Sequence, residues 1–205
     1  MLLYDIGNTN IKAYHDGRIE TIKADKKSVF PKEKFYYICV NSAYHDRLKN
    51  LENAINLEPK ISLDTEYKGL GVDRKIVCKA VKNGVIVDAG SAITVDIMID
   101  GIHKGGFITL GLRSFEQSFA KISDALVFKI DKNIDLNTLP QNTKDALNFA
   151  TFQAVVGAIN AVKKELPLIF CGGDGSALMR FFAEARFQED LVFEGMKEVI
   201  KESGC

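Results

Sequence analysis

The chain has 205 residues, 46% of them apolar, which is material for one large core or two small ones. Lysine and arginine total 27 and aspartate and glutamate total 27, with no long run of one sign, so the sequence lacks the electrostatic footprint of a nucleic-acid or anionic-membrane binder. Small molecules or further copies of the chain are the expected partners.

Met1-Leu2-Leu3-Tyr4 carries no basic and apolar leader pattern, and no later stretch is apolar for long enough to span a bilayer, so a cytoplasmic protein is expected. The first predicted element is an apolar strand in residues 3–12, LYDIGNTNIK, which runs into Asp5-Ile6-Gly7 and on into a second strand. Asp16-Gly17 then calls for a tight hairpin, because both central residues of a type I′ turn take positive φ. A third strand is predicted over 18–24 and a fourth over 35–40. An amphipathic helix starts near Asp73, with Ile76, Val77, Ala80 and Val81 inward, and ends before Asn83-Gly84.

Residues 86–96, IVDAGSAITVD, restart the pattern with a strand, Asp88-Ala89-Gly90, a second strand and Asp100-Gly101. A strand over 102–110, a helix over about 112–126, a loop over 133–141 and a long helix over about 143–166 follow. A buried strand over 168–171, the turn Gly172-Gly173-Asp174-Gly175 and two helices complete the chain. The repetition predicts an α/β protein of two similar lobes, residues 1–84 and 85–205. The long helix carries Ala146, Leu147, Phe149, Ala150, Phe152, Val155, Val156, Ile159 and Val162 on most of its sides, which predicts burial all round. Packing against a second subunit and burial between the lobes both satisfy that pattern.

Cys39, Cys78, Cys171 and Cys205 lack Cys-x-x-Cys spacing, and His15, His45 and His103 are far apart, so neither set is assigned a role. The chemistry concentrates elsewhere. In Asp5-Ile6-Gly7-Asn8-Thr9-Asn10-Ile11-Lys12 a strand delivers a carboxylate, a glycine opens the backbone, and short donors and an ammonium follow. Such a set suits phosphoryl oxygens and Mg²⁺, although the same residue types also make an ordinary hairpin turn. Asp88-Ala89-Gly90-Ser91 repeats it, with Thr94 and Asp96 beyond, and two facing turns of this kind would clamp a polyphosphate. Gly71-Val72-Asp73-Arg74 opens the amphipathic helix. Asp73 is either an N-cap or a general base, and Arg74 either a solvated charge or a fork for a carboxylate or phosphate. Gly105-Gly106 and Gly172-Gly173 either make tight connections only or let a ligand lie against backbone.

In order along the chain, residues 5–12, Gly71-Val72-Asp73-Arg74, residues 88–96, Gly105-Gly106-Phe107-Ile108 and Asn142-Thr143 resemble the motifs of the type III pantothenate kinases. The resemblance implies a member of the acetate and sugar kinase, Hsp70 and actin superfamily, with two ribonuclease-H-like lobes, working as a homodimer. It implies phosphoryl transfer from ATP to pantothenate, the first step of coenzyme A synthesis. By the same resemblance Asp5, Ile6, Gly7, Asn8, Thr9, Asn10, Ile11 and Lys12 bind ATP phosphates with Asp5 near Mg²⁺, and Ser91 meets ATP. Asp73 is the general base, and Tyr67, Gly71, Val72, Asp73, Arg74 and Thr143 meet pantothenate. Asp88 holds a monovalent cation, K⁺ or NH₄⁺. Ser91 stands where the family commonly has Thr, keeping the hydroxyl, and Leu110 where it commonly has Pro. A kinase of the same superfamily with another acceptor, and a nucleotide-dependent regulatory protein on the same scaffold, are the alternatives.

Overall fold

The computed structural model describes residues 1–25 and 29–204. The chain divides into two units, Met1–Lys82 with Asp100–His103 and Asp190–Cys205, and Asn83–Ile99 with Lys104–Glu189. Each unit is built on one five-stranded mixed sheet.

In the first unit β1 (Leu2–Ile6), β2 (Asn10–His15) and β3 (Arg18–Lys23) form an antiparallel meander. Beyond β1 lie β4 (Phe35–Cys39) and β5 (Ala54–Asn56), both parallel to it, giving the order β3-β2-β1-β4-β5. Every residue of β4 is buried, as a central strand covered on both faces requires. Helices α1 (His45–Lys49) and α2 (Val72–Lys79) follow. Ile6, Ile11, Phe30, Phe35, Tyr37, Cys39, Tyr44 and Leu48 form one apolar cluster, in which Phe30 stacks on Phe35 with ring centroids 5.7 Å apart.

The second unit repeats this order strand for strand. The strands β6 (Gly84–Ala89), β7 (Ala92–Ile99) and β8 (Ile102–Leu110) lie side by side, and the helices α3 (Leu112–Ala120) and α4 (Thr143–Lys163) come next. Strand β9 (Leu168–Cys171) pairs parallel to β6, helix α5 (Gly175–Met179) follows, and β10 (Ala185–Phe187) pairs parallel to β9. The order β10-β9-β6-β7-β8 is that of the first sheet written backwards. The Asp-Gly reading holds in both copies: Asp16 and Gly17 have φ of 47° and 86°, Asp100 and Gly101 of 53° and 80°. Two mixed sheets with flanking helices are the expected architecture.

The last helix, α6 (Leu191–Ser203), groups with the first unit, whereas a division at residue 84 assigned it to the second. Its buried face, including Phe193, Met196, Val199 and Ile200, packs on α2 and β1. Gly195 permits the closest approach: a Cβ there would sit 1.8 Å from the Ile76 carbonyl oxygen. Burial of each large side chain on that face stabilises the unit by about 1.5–3 kcal/mol before entropy is counted.

Three further expectations change. The helix expected to reach residue 126 stops at Ala120, because Ser123 is extended and its hydroxyl accepts from Ala125 N–H, starting a separate turn over Asp124–Leu126. The strands β5 and β10 and the short helix α1 were not anticipated. Finally, α4 is not apolar all round. Leu147, Phe152, Val155, Val156 and Ile159 face the core with Asn148 and Thr151, while Ala146, Ala150, Ala154, Gly157 and Ala161 are exposed. Among the described residues no helix is long and apolar enough to cross a membrane.

Candidate active site

Asp5 sits one residue before the end of β1 and stands opposite Lys12 in the β1–β2 ladder, so carboxylate and ammonium share a face beside the turn. The turn is anchored from three directions. Gly7 N–H donates to the Asn10 carbonyl at 3.0 Å, the Asn41 amide donates to the Gly7 carbonyl at 3.3 Å, and Ala24 N–H donates to the Thr9 carbonyl at 2.9 Å. Asn8, Thr9 and Asn10 are exposed at its tip. Ile6 and Ile11, which the resemblance assigns to phosphate binding, pair with each other and are fully buried. Their side chains anchor the hairpin in the core, and only their backbone is left to meet a ligand. Burial pushes the neighbouring Cys39 thiol up from its ordinary value, and the charge of Asp5 adds to that shift, against a lowering hydrogen bond with the Asn41 backbone.

The start of α2 holds a second group. Gly71 is the N-cap and Asp73 lies in the first turn, so Asp73 does not cap by position. Its carboxylate instead turns back, accepting Arg74 N–H at 2.8 Å and lying 2.5 Å from where a Cβ on Gly71 would be. Glycine at 71 therefore makes room for the Asp73 carboxylate. A negative group here is favoured by the positive end of the helix. Val72 is buried, leaving its backbone alone for any contact with substrate. Arg74 is only 4% exposed, which removes the solvated-charge reading. Its guanidinium lies 4.9 Å from the Tyr67 ring centroid and donates to the Tyr67 hydroxyl at 3.3 Å. Spacing does not foretell that pairing, since the six residues between the two have to fold back to make it.

In the second unit Asp88 is the sheet equivalent of Asp5, but its ladder partner is the neutral Thr94. Here Ala89 pairs with Ile93 across residues 90–92, one residue fewer than the 7–10 loop that Ile6 and Ile11 close. Gly172, with φ of 80°, lies against this strand end: a Cβ would be 2.4 Å from an Asp88 carboxylate oxygen and 2.5 Å from the Ala89 carbonyl. The Asp174 N–H donates to that carbonyl at 2.9 Å, and the Asp174 carboxylate pairs with Lys132 at 2.7 Å. The glycine pair thus makes a tight connection that seats the β9–α5 turn on the Asp88 turn. On its other side Ser91 is exposed, and its carbonyl accepts from Ser114 Oγ at 2.9 Å and from Gly111 N–H at 3.3 Å. Ser114 was missed because nothing in its local sequence marks it; only the turn of α3 brings it to Ser91. Thr143 is the exposed first residue of α4, capped by Asn142, whose side chain accepts from Asp145 N–H at 3.0 Å. A cavity of about 610 Å³ in the second unit, near Asn133, Asn160 and Arg180, contains none of the residues assigned from sequence.

These groups supply oxygen donors for hard cations, N–H groups and an ammonium for phosphate, and a carboxylate beside a buried guanidinium. A family model described as type III pantothenate kinase matches residues 26–165. A relative of that name from Wolinella succinogenes is 44% identical, covering 98% of this chain and 97% of its own. One from Campylobacter jejuni subsp. jejuni is 41% identical over 99% and 98%. A crystal structure from Campylobacter jejuni, described as a Baf family transcriptional activator, superposes with a TM-score of 0.92 at 40% identity, covering 100% of this chain and 99% of that one. Matched along nearly its whole length by proteins with one name, the chain belongs to the type III pantothenate kinase family.

Proposed function

We propose that the protein transfers the γ-phosphoryl group of ATP to the 4′-hydroxyl of pantothenate, the opening step of coenzyme A synthesis. The observation that carries this reading is identity of 44% to a type III pantothenate kinase across 98% of the chain. The local geometry supports it, because Asp73 turns its carboxylate toward the helix start beside Arg74. In this reading Asp73 accepts the hydroxyl proton as the alcohol oxygen attacks the γ-phosphorus. The bond to the β–γ bridging oxygen breaks, and ADP leaves with that electron pair. Arg74 takes the pantothenate carboxylate, with Tyr67, the backbone of Gly71 and Val72, and Thr143 completing the acceptor site.

The 5–12 turn receives the phosphates through backbone N–H groups, Asn8, Thr9, Asn10 and Lys12, and Ser91 adds a hydroxyl. Asp5 offers an oxygen ligand to Mg²⁺, which when bound neutralises charge on the phosphates. Asp88 offers an oxygen ligand to K⁺ or NH₄⁺ near the end of β6. We place the reaction in the cytoplasm, and a homodimer joined along the small exposed residues of α4 is part of the proposal.

A coupled assay of ADP release from ATP tests the reading, run with and without pantothenate and in K⁺ against Na⁺. Release that depends on pantothenate supports it, whereas release with another small alcohol alone favours a different acceptor. The description of the Campylobacter structure brings in a second reading, a regulator that binds nucleotide without phosphorylating pantothenate. Nucleotide binding with no pantothenate-dependent turnover would favour that one. The even charge balance of 27 against 27 weighs against direct DNA binding.

A further inference from the structure

Tyr67 lies on residues 61–71, a stretch without strand or helix apart from one isolated bridge at Thr65, and the residue is 37% exposed. A half-exposed aromatic on such a segment would ordinarily sample several orientations and lose them on meeting a ligand. Here it is tied. Thr65 pairs with His103 in the parallel bridge, and His103 N–H donates to the Asp64 carbonyl at 2.9 Å. The Thr65 hydroxyl accepts from Tyr67 N–H at 3.0 Å and lies 2.7 Å from His103 Nδ1. The His103 ring, 3% exposed, sits 6.0 Å from the Tyr67 ring at an interplanar angle of 55°. From the other end Arg74 reaches the Tyr67 hydroxyl and lies against its ring.

A hydroxyl that accepts from an amide still has its own proton to donate. The Thr65 O–H can be given to His103 Nδ1, or Nδ1–H to the hydroxyl, and in either tautomer the 2.7 Å contact is a hydrogen bond. The tie therefore runs from a buried ring, through one hydroxyl, to the backbone of the residue that holds Arg74. No catalytic chemistry needs these two side chains, so what they hold is the loop that presents Tyr67.

We infer that Thr65 and His103 are positioning residues for pantothenate: they fix Tyr67, and through it the Arg74 guanidinium, in the orientation that receives the acceptor. The inference rests on the pantothenate reading of Tyr67 and Arg74 given above. Tightness toward pantothenate, and not toward ATP, is then set by a hydroxyl and an imidazole that need not touch either substrate.

The test uses the full chain with ATP and pantothenate. Thr65→Val keeps shape and loses the hydroxyl, and Thr65→Ser restores it. His103→Phe keeps a ring without Nδ1, and His103→Asn returns a polar atom near the Nδ1 position. Thr65→Val and His103→Phe should each raise the pantothenate KM by roughly three- to tenfold, the worth of one such hydrogen bond. Their kcat and ATP KM should stay within about twofold, Thr65→Ser and His103→Asn should recover most of the loss, and the double variant should be no worse than the poorer single one.

An unchanged pantothenate KM in a folded Thr65→Val overturns the inference. So does a parallel rise in both KM values, or a failure of serine to restore the parent value. If Thr65→Val does not fold, His103→Phe against His103→Asn decides by the same readout. A parent enzyme that ignores pantothenate sinks the functional reading instead, and a parent that uses pantothenate with insensitive variants sinks this inference alone.

Discussion

Gly71 and Asp73 depend on each other: the carboxylate occupies the space a side chain at 71 would need. Asp73→Asn keeps that shape and removes the proton acceptor. Turnover should fall by about two to four decades with ATP affinity nearly intact, as expected for loss of a general base. Steady-state kinetics with nucleotide titration by calorimetry check it, and near-parent turnover would remove Asp73 from the role. Gly172 bears the same relation to Asp88, with positive φ as a second constraint. Asp88→Ala should abolish the difference between K⁺ and Na⁺ in the coupled assay, and a parent equally active in Na⁺ alone would show the cation assignment to be mistaken. Individual residues were the least readable part of the sequence. The choice between a solvated charge and a fork at Arg74 stayed open because its cover, Tyr67, comes from a loop whose path spacing does not encode. The resemblance assigns Ile6 and Ile11 to phosphate binding, yet their side chains are core. A motif records which residues travel together, and burial sorts them into those that touch the ligand and those that hold the turn.

At the scale of elements the strongly patterned pieces were readable and the short ones were not. The Asp-Gly turns follow from a backbone conformation few other dipeptides accept, and β8 and β9 fall where apolar runs end at glycines. The strands β5 and β10 have three residues each, too few for any periodicity to show, and lie at the outer edges of their sheets. The contact of α6 with α2 was equally hidden, since residues 195 and 76 are remote in sequence. Gly195→Ala drives a methyl into the Ile76 carbonyl. Destabilisation of about 1–3 kcal/mol in urea unfolding is expected, and more if α6 cannot shift outward. Unchanged stability would mean that the helix pair is looser than its geometry indicates.

For the whole molecule the duplication was readable before any coordinates, because an internal repeat shows in the order of its turns. The matching sheet orders bear it out, with the first hairpin loop one residue shorter in the second copy. Self-association is a separate matter. The exposed positions of α4 include Ala146, Ala150, Ala154, Gly157 and Ala161, small residues past which a second helix could come close. Light scattering behind a sizing column should give twice the mass of 22.7 kDa, and a monomer at micromolar concentration would remove the dimer from the proposal. Replacing Ala154 by Glu should lower that mass without changing the fold, since the side chain points to solvent within its own unit.

Because α6 closes over α2 and β1, a sheet made early in synthesis is finished only by a helix that follows the whole of residues 83–189. While residues 83–189 emerge, the opening sheet waits with an apolar flank uncovered. A nascent chain stalled before residue 190 would therefore leave that flank exposed, giving chaperones and proteases a reason to act there.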